Sequence, residues 1–212
     1  MKQLVLLFTL IGLATVSPGA GAASSHAGEA PLKKHFVDSI QPQLVELPSE
    51  AIPYWRDEAK GSKPALLLFS SVPFLSPITE GQRQNVAQLV AKGRADDFVA
   101  RGSLLRVNPA FVSNQAVSAA LDSGLFSKIS WTFPSAMAPD QLDLEGFRRQ
   151  VVEAGFFTKE ESHELSLVNG VISGSIRGIP FKAIHAEALQ PPDEPVIMHF
   201  DLSYFKGLYK SE

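Results

Sequence analysis

The sequence predicts an α/β domain with a largely parallel sheet, and two observations carry that expectation. Short continuous apolar runs alternate with segments of helical period between Ala65 and Phe133. Runs without a polar face suit strands buried on both sides, which is the condition of a parallel sheet joined by helical crossovers. A second signal, Asn169-Gly170 between apolar runs, adds one β-hairpin, because Asn-Gly supplies the positive φ angles of a two-residue turn.

Taken in order, the chain opens with Lys2 and an apolar run from Leu4 to Val16, then Pro18-Gly19 and the small residues Ala20-Gly21-Ala22. The run falls short of the ~20 apolar residues that span a bilayer. The pattern is that of a cleavable secretory signal over residues 1–22. The expected product is exported, periplasmic or secreted, with no membrane span once the signal is removed. Residues 23–48 read as a mobile leader and an irregular lead-in, since Pro42 and Pro48 interrupt any helix there. A single α/β domain is expected over residues 49–212. The chain has 212 residues and no cysteine, and a domain of this length buries enough core to hold without disulfides.

Within the domain, Ser49-Glu50 with Pro53 predicts a short capped helix ending at Gly61. Ala65 to Phe69 is the first buried strand, with Ser70 and Ser71 at its carboxyl end. Thr79 to Lys92 has Val86, Leu89 and Val90 at helical spacing, and Gly93 follows as a left-handed stop. Asp96 to Ala100 adds a turn of helix, and Leu104 to Val107 reads as a short strand. A helix from Ser113 to Asp122 precedes the strand Ile129 to Phe133, and another spans Leu142 to Ala154 with Leu144, Phe147 and Val151 on one face. Thr158 and Glu161 form a possible capping box. Leu165 to Val168 and Val171 to Ser173 make the hairpin, and Ile179 to Ile184 and Val196 to Met198 complete the apolar runs.

The formal net charge is −3, and lysine and arginine are scattered rather than striped, which excludes a nucleic-acid footprint. No Gly-x-Ser-x-Gly elbow or phosphate loop is present. Gly170, Gly174 and Gly178 are assigned to strands and turns. The five histidines show no metal-binding helix spacing. His163 is expected to be solvated, and His185 closes an apolar run where an open α/β sheet binds ligands. In Val196 to Phe205, a strand running into His199-Phe200-Asp201 sets an imidazole and a carboxylate on one side. That pair suits a divalent metal ligand with a neighbour; equally, Asp201 caps a loop or helix while His199 is a packed ring.

Three stretches resemble the arginase-fold group of metal-dependent amidine and amide hydrolases, which includes ureohydrolases and deacetylase-like enzymes, and are most similar to a little-characterised arginase-like branch. They are Ser49 to Leu75 around Leu66-Leu67-Leu68-Phe69, Phe111 to Pro134 around Ile129-Ser130-Trp131, and Pro195 to Phe205 around His199-Phe200-Asp201-Leu202. The resemblance implies a three-layer arginase-like domain and a pair of metal ions. It also implies departures. The family pattern Asp-x-His-x-Asp after the first strand reads Ser70, Val72 and Phe74 here, and Asp-x-Asp after the last reads Asp201 and Ser203. Asp201 is the one retained metal ligand. An arginase-like sheet continues through more strands beyond this motif, so the resemblance further implies a sheet incomplete at the C-terminus or a fragment of a longer protein.

The functional expectation is a pseudoenzyme without a cofactor, binding a small molecule or protein in a strand-end cleft lined by Ser70, Ser71, His185, His199, Asp201 and Ser203. The alternative is a metal-dependent hydrolase of C–N bonds in guanidino or amide substrates, using a divalent ion such as Mn, Zn or Ni.

Overall fold

A computed structural model describes residues 6–10, 42–102, 112–134 and 139–208. The strand expected at Leu104 to Val107 and most of the signal and leader lie outside the described residues. The elements are β1 (Leu6–Leu10), α1 (Ile52–Ala59), β2 (Ala65–Phe69), α2 (Glu80–Lys92), α3 (Ala95–Gly102), α4 (Ala116–Asp122), β3 (Lys128–Phe133), α5 (Leu144–Glu153), α6 (Lys159–His163), β4 (Ser166–Val168), β5 (Val171–Ile176), β6 (Ile179–His185), β7 (Val196–Phe200) and α7 (Leu202–Leu208).

One sheet collects the strands in the order β1-β7-β2-β3-β6-β5-β4. Its centre is parallel: β2 pairs with both β3 and β7, and β3 with β6. The pairs at the margins are antiparallel. The fold is therefore α/β with a mostly parallel sheet, and the hairpin sits at one edge as an extension of it. β1 falls inside the stretch read as a signal and runs antiparallel to β7, Leu6 facing Phe200 and Leu10 facing Val196. Among the described residues no helix is long and apolar enough to cross a membrane.

Alternation along the strands separates two faces. Leu66, Leu68, Ile129, Trp131, Phe181, Ala183 and Ile197 point into the main core with Ile52 and Trp55 of α1, Val86 and Leu89 of α2, and Val117 and Ala120 of α4. Each large side chain so buried contributes about 1.5–3 kcal/mol. On the other face Leu67, Phe69, Met198 and Phe200 pack with Leu189 and with Tyr204 of α7. Phe69 and Phe200 stack at 4.3 Å, with Tyr204 edge-on to Phe69 at 5.5 Å.

Local chemistry sets the element ends. Ser49 lies in a 3-10 turn, Pro48–Ala51, and α1 follows with Pro53 in its first turn, ending at left-handed Lys60. Thr79 and Gln82 form a capping box at α2. Gly93 is not the left-handed stop that its position suggested: its φ is −64°. It is glycine for want of space, since a Cβ there would lie 2.5 Å from the Leu89 carbonyl oxygen and 2.9 Å from the Phe98 ring. The helix expected from Ser113 begins as a 3-10 turn and becomes α-helical at Ala116.

Asn169 and Gly170 take φ of 49° and 75°, as a two-residue hairpin turn demands. Arg177 and Gly178 do the same at 52° and 75° and join β5 to β6 in a second hairpin that the sequence reading missed. This tip is anchored. The Arg177 amide donates to Glu161 Oε1 at 2.6 Å, and its guanidinium reaches Asp122 at 2.9 Å and the Ser118 hydroxyl at 3.1 Å. Glu161 also completes the expected capping box with Thr158.

Candidate functional site

The carboxyl ends of the parallel strands β2, β3, β6 and β7 lie along one edge of the sheet, the place where open α/β sheets bind ligands. The parallel ladder between β2 and β7 continues one step past β7, the Asp201 amide donating to the carbonyl of Phe69, the last residue of β2, at 2.8 Å. That step puts Asp201 beside Ser70. The Ser71 amide donates to the Ser203 hydroxyl at 3.1 Å. Ser70, Ser71, Asp201 and Ser203 are thus brought together as expected.

His185 is not with them. It ends β6, which is separated from β2 by β3, a lateral distance of roughly 10 Å at the usual strand spacing. Its Nδ1 accepts the Glu187 amide at 3.2 Å at the start of a 3-10 turn, and its ring meets Phe133 edge-on. His163 is exposed at the end of α6, in keeping with the expectation of a solvated ring.

The groups at the cluster are largely committed. The Ser70 hydroxyl donates to the Val72 carbonyl at 2.5 Å, and the Ser70 carbonyl accepts the Trp131 Nε1–H at 2.9 Å. Asp201 Oδ1 accepts the Ser203 amide at 2.8 Å and the Asp201 carbonyl accepts from Tyr204, so Asp201 caps α7. Its other oxygen, Oδ2, is buried without a hydrogen-bond partner.

His199 lies two residues earlier, on the same face, and is fully buried. Trp55 and Phe74 close over it edge-on, with ring centroids at 5.2 Å and 6.2 Å. Neither ring nitrogen has a hydrogen-bond partner. Burial among hydrocarbon disfavours the imidazolium and pushes the pKa down to about 3, so the ring is neutral at physiological pH.

Phe74 forms the roof of this niche. It is buried and takes a left-handed φ of 53°, a conformation costly for a bulky residue. Its carbonyl accepts the Val117 and Ser118 amides of the first turn of α4, at 3.1 Å and 3.4 Å, which holds the strained residue in place. The Phe74 ring, with Trp55, closes an apolar niche around His199. Among the described residues no three histidine or carboxylate side chains converge on one point.

Beside this cluster a cavity of about 540 Å³ opens between the strand ends and α5. Ser71 and Val72 form one side, Trp131 and Phe133 the floor from β3, and Phe147 and Phe156 the wall from α5 and its exit. The volume is of small-molecule size. Apart from Ser71, none of these residues was among the cleft residues expected from the sequence. An aromatic on a buried strand or helix face reads as core, and only the packing shows which rings border a space.

Comparison of the chain with protein-family models, curated proteins and solved structures gives no match.

Proposed function

We propose that this chain is an exported, non-catalytic binding domain of arginase-like, three-layer ancestry whose metal site has been dismantled, and that its ligand enters at the strand ends beside Ser71. One observation carries the reading: the positions that would hold a metal pair are Ser70, Val72, Phe74, Asp201 and Ser203, and Asp201 alone is anionic. Two adjacent divalent ions need several anionic oxygens to offset their charge and lost hydration. The surroundings of these residues support the same reading, because the Ser70 hydroxyl is bonded to Val72 and Phe74 fills the space over His199. Metal analysis of purified protein after dialysis against Mn, Zn and Ni tests it. The expected result is well below one equivalent; two equivalents that disappear in Asp201→Ala would overturn it.

A second reading, a hydrolase of C–N bonds using one divalent ion, has a specific observation in its favour: Asp201 Oδ2 and both His199 nitrogens are buried without partners, and buried orphans of this kind call for an explanation. Thermal denaturation with a panel of divalent ions separates the readings. A saturable rise in melting temperature that Asp201→Asn abolishes favours the hydrolase, and release of ammonia or urea from guanidino or amide substrates would establish it.

A further inference from the structure

Resting on the reading of the strand-end cleft as a binding site, we propose that its aromatic cavity takes an organic cation bearing a methylated ammonium group. The cavity of about 540 Å³ is walled by Trp131, Phe133, Phe147 and Phe156, with one carboxylate, Asp143, at its rim. Trp131 lies 5.5 Å from Phe133 and 6.3 Å from Phe147 between centroids, tilted at 51° and 35°. At these separations the rings touch one another, and together they border the same cavity. The Trp131 indole is buried and fixed through its Nε1–H to the Ser70 carbonyl, so it has only ring surface to offer a guest.

The carboxylate supplies the charge complement. Asp143 precedes α5 and is exposed, and no side-chain cap hydrogen bond ties it to the helix. It lies directly over Gly146, where a Cβ would come within 2.3 Å of Oδ2. Glycine at that position is what allows the carboxylate its place at the rim.

Aromatic faces beside a carboxylate attract cations. The choice among cations follows from hydrogen bonding. A primary ammonium brings three N–H donors, and a lining of mostly ring and aliphatic surface, with Asp143, Gln150 and Ser71 as its side-chain acceptors, offsets the loss of its hydration poorly. A quaternary ammonium has no donors to satisfy. It offers methyl groups to the rings and a diffuse positive charge to Asp143.

The test compares choline with 3,3-dimethylbutan-1-ol, its neutral counterpart of the same shape, by calorimetric titration and by tryptophan fluorescence. Choline is expected to bind saturably, about tenfold more tightly than the alcohol. Asp143→Asn, which removes the charge while keeping the side chain's size, and Gly146→Ala, which displaces the carboxylate while keeping its charge, should each weaken choline several-fold and leave the alcohol unchanged. Equal binding of the two probes overturns the cation class and leaves the cleft reading standing. Binding of neither overturns both.

Discussion

His199 shows most directly how a residue's surroundings set its chemistry. With no partner for either nitrogen and a pKa near 3, it binds fewer protons folded than unfolded between that value and the ordinary ~6.5. Stability from this group is therefore intact above pH 6.5 and is lost as pH falls through this window. Replacing it with leucine, of similar volume, removes both the orphaned nitrogens and the titration. Urea denaturation from pH 7 to 4 should show His199→Leu at least as stable as the parent at pH 7, with the difference widening as pH falls; a parallel pH dependence in the two proteins would contradict this. Asp201 divides its role between capping α7 and an unpaired Oδ2. Asp201→Ala should accordingly cost about 1 kcal/mol as a lost cap, and Asp201→Asn much less. Strand-end logic set Ser70, Ser71 and Asp201 at the carboxyl ends of buried runs from the sequence, whereas Ser203, inside α7, was named only through the family resemblance. It misplaced His185, since nothing in a linear pattern says how many strands stand between two strand ends.

At the scale of elements, the two hairpins differ in how legible they are. Asn169-Gly170 is a recognised turn pair and was read correctly, whereas Arg177-Gly178 was missed because arginine carries no turn preference; its left-handed φ is held by the Glu161, Asp122 and Ser118 contacts. Gly178 has open space around it at φ of 75°, so Gly178→Ala should cost about 1–2 kcal/mol from backbone strain alone. Gly93→Ala meets a different obstacle, the Leu89 carbonyl and the Phe98 ring at an ordinary φ, and should cost about 1–3 kcal/mol from overpacking. Chemical denaturation of the two variants checks both, and a neutral Gly93→Ala would refute the crowding argument. β1 is the other informative element. If residues 1–22 leave on export, as the sequence reading expects, β7 loses its antiparallel partner and presents an unpaired edge. Hydrogen exchange should then be faster in the amides of Val196 to Phe200 that face β1 in the processed chain than in the full one, while those facing β2 keep their protection.

On the scale of the whole molecule, the mostly parallel sheet was legible because buried strands and helices alternate along the chain. The strand order was not, because β7 inserts beside β2 although it is last in sequence. That insertion brings residues 70 and 201 side by side and makes a shared strand-end site possible. The proposed function depends on what that site can hold: under the arginase-like reading, serine, valine and phenylalanine take the positions where a metal pair would need acidic and imidazole groups. Manganese titration followed by electron paramagnetic resonance measures this most directly. The account predicts that the six-line signal of hydrated manganese grows in proportion to added metal with the protein present as without it; suppression of two equivalents, relieved by Asp201→Ala, would contradict it.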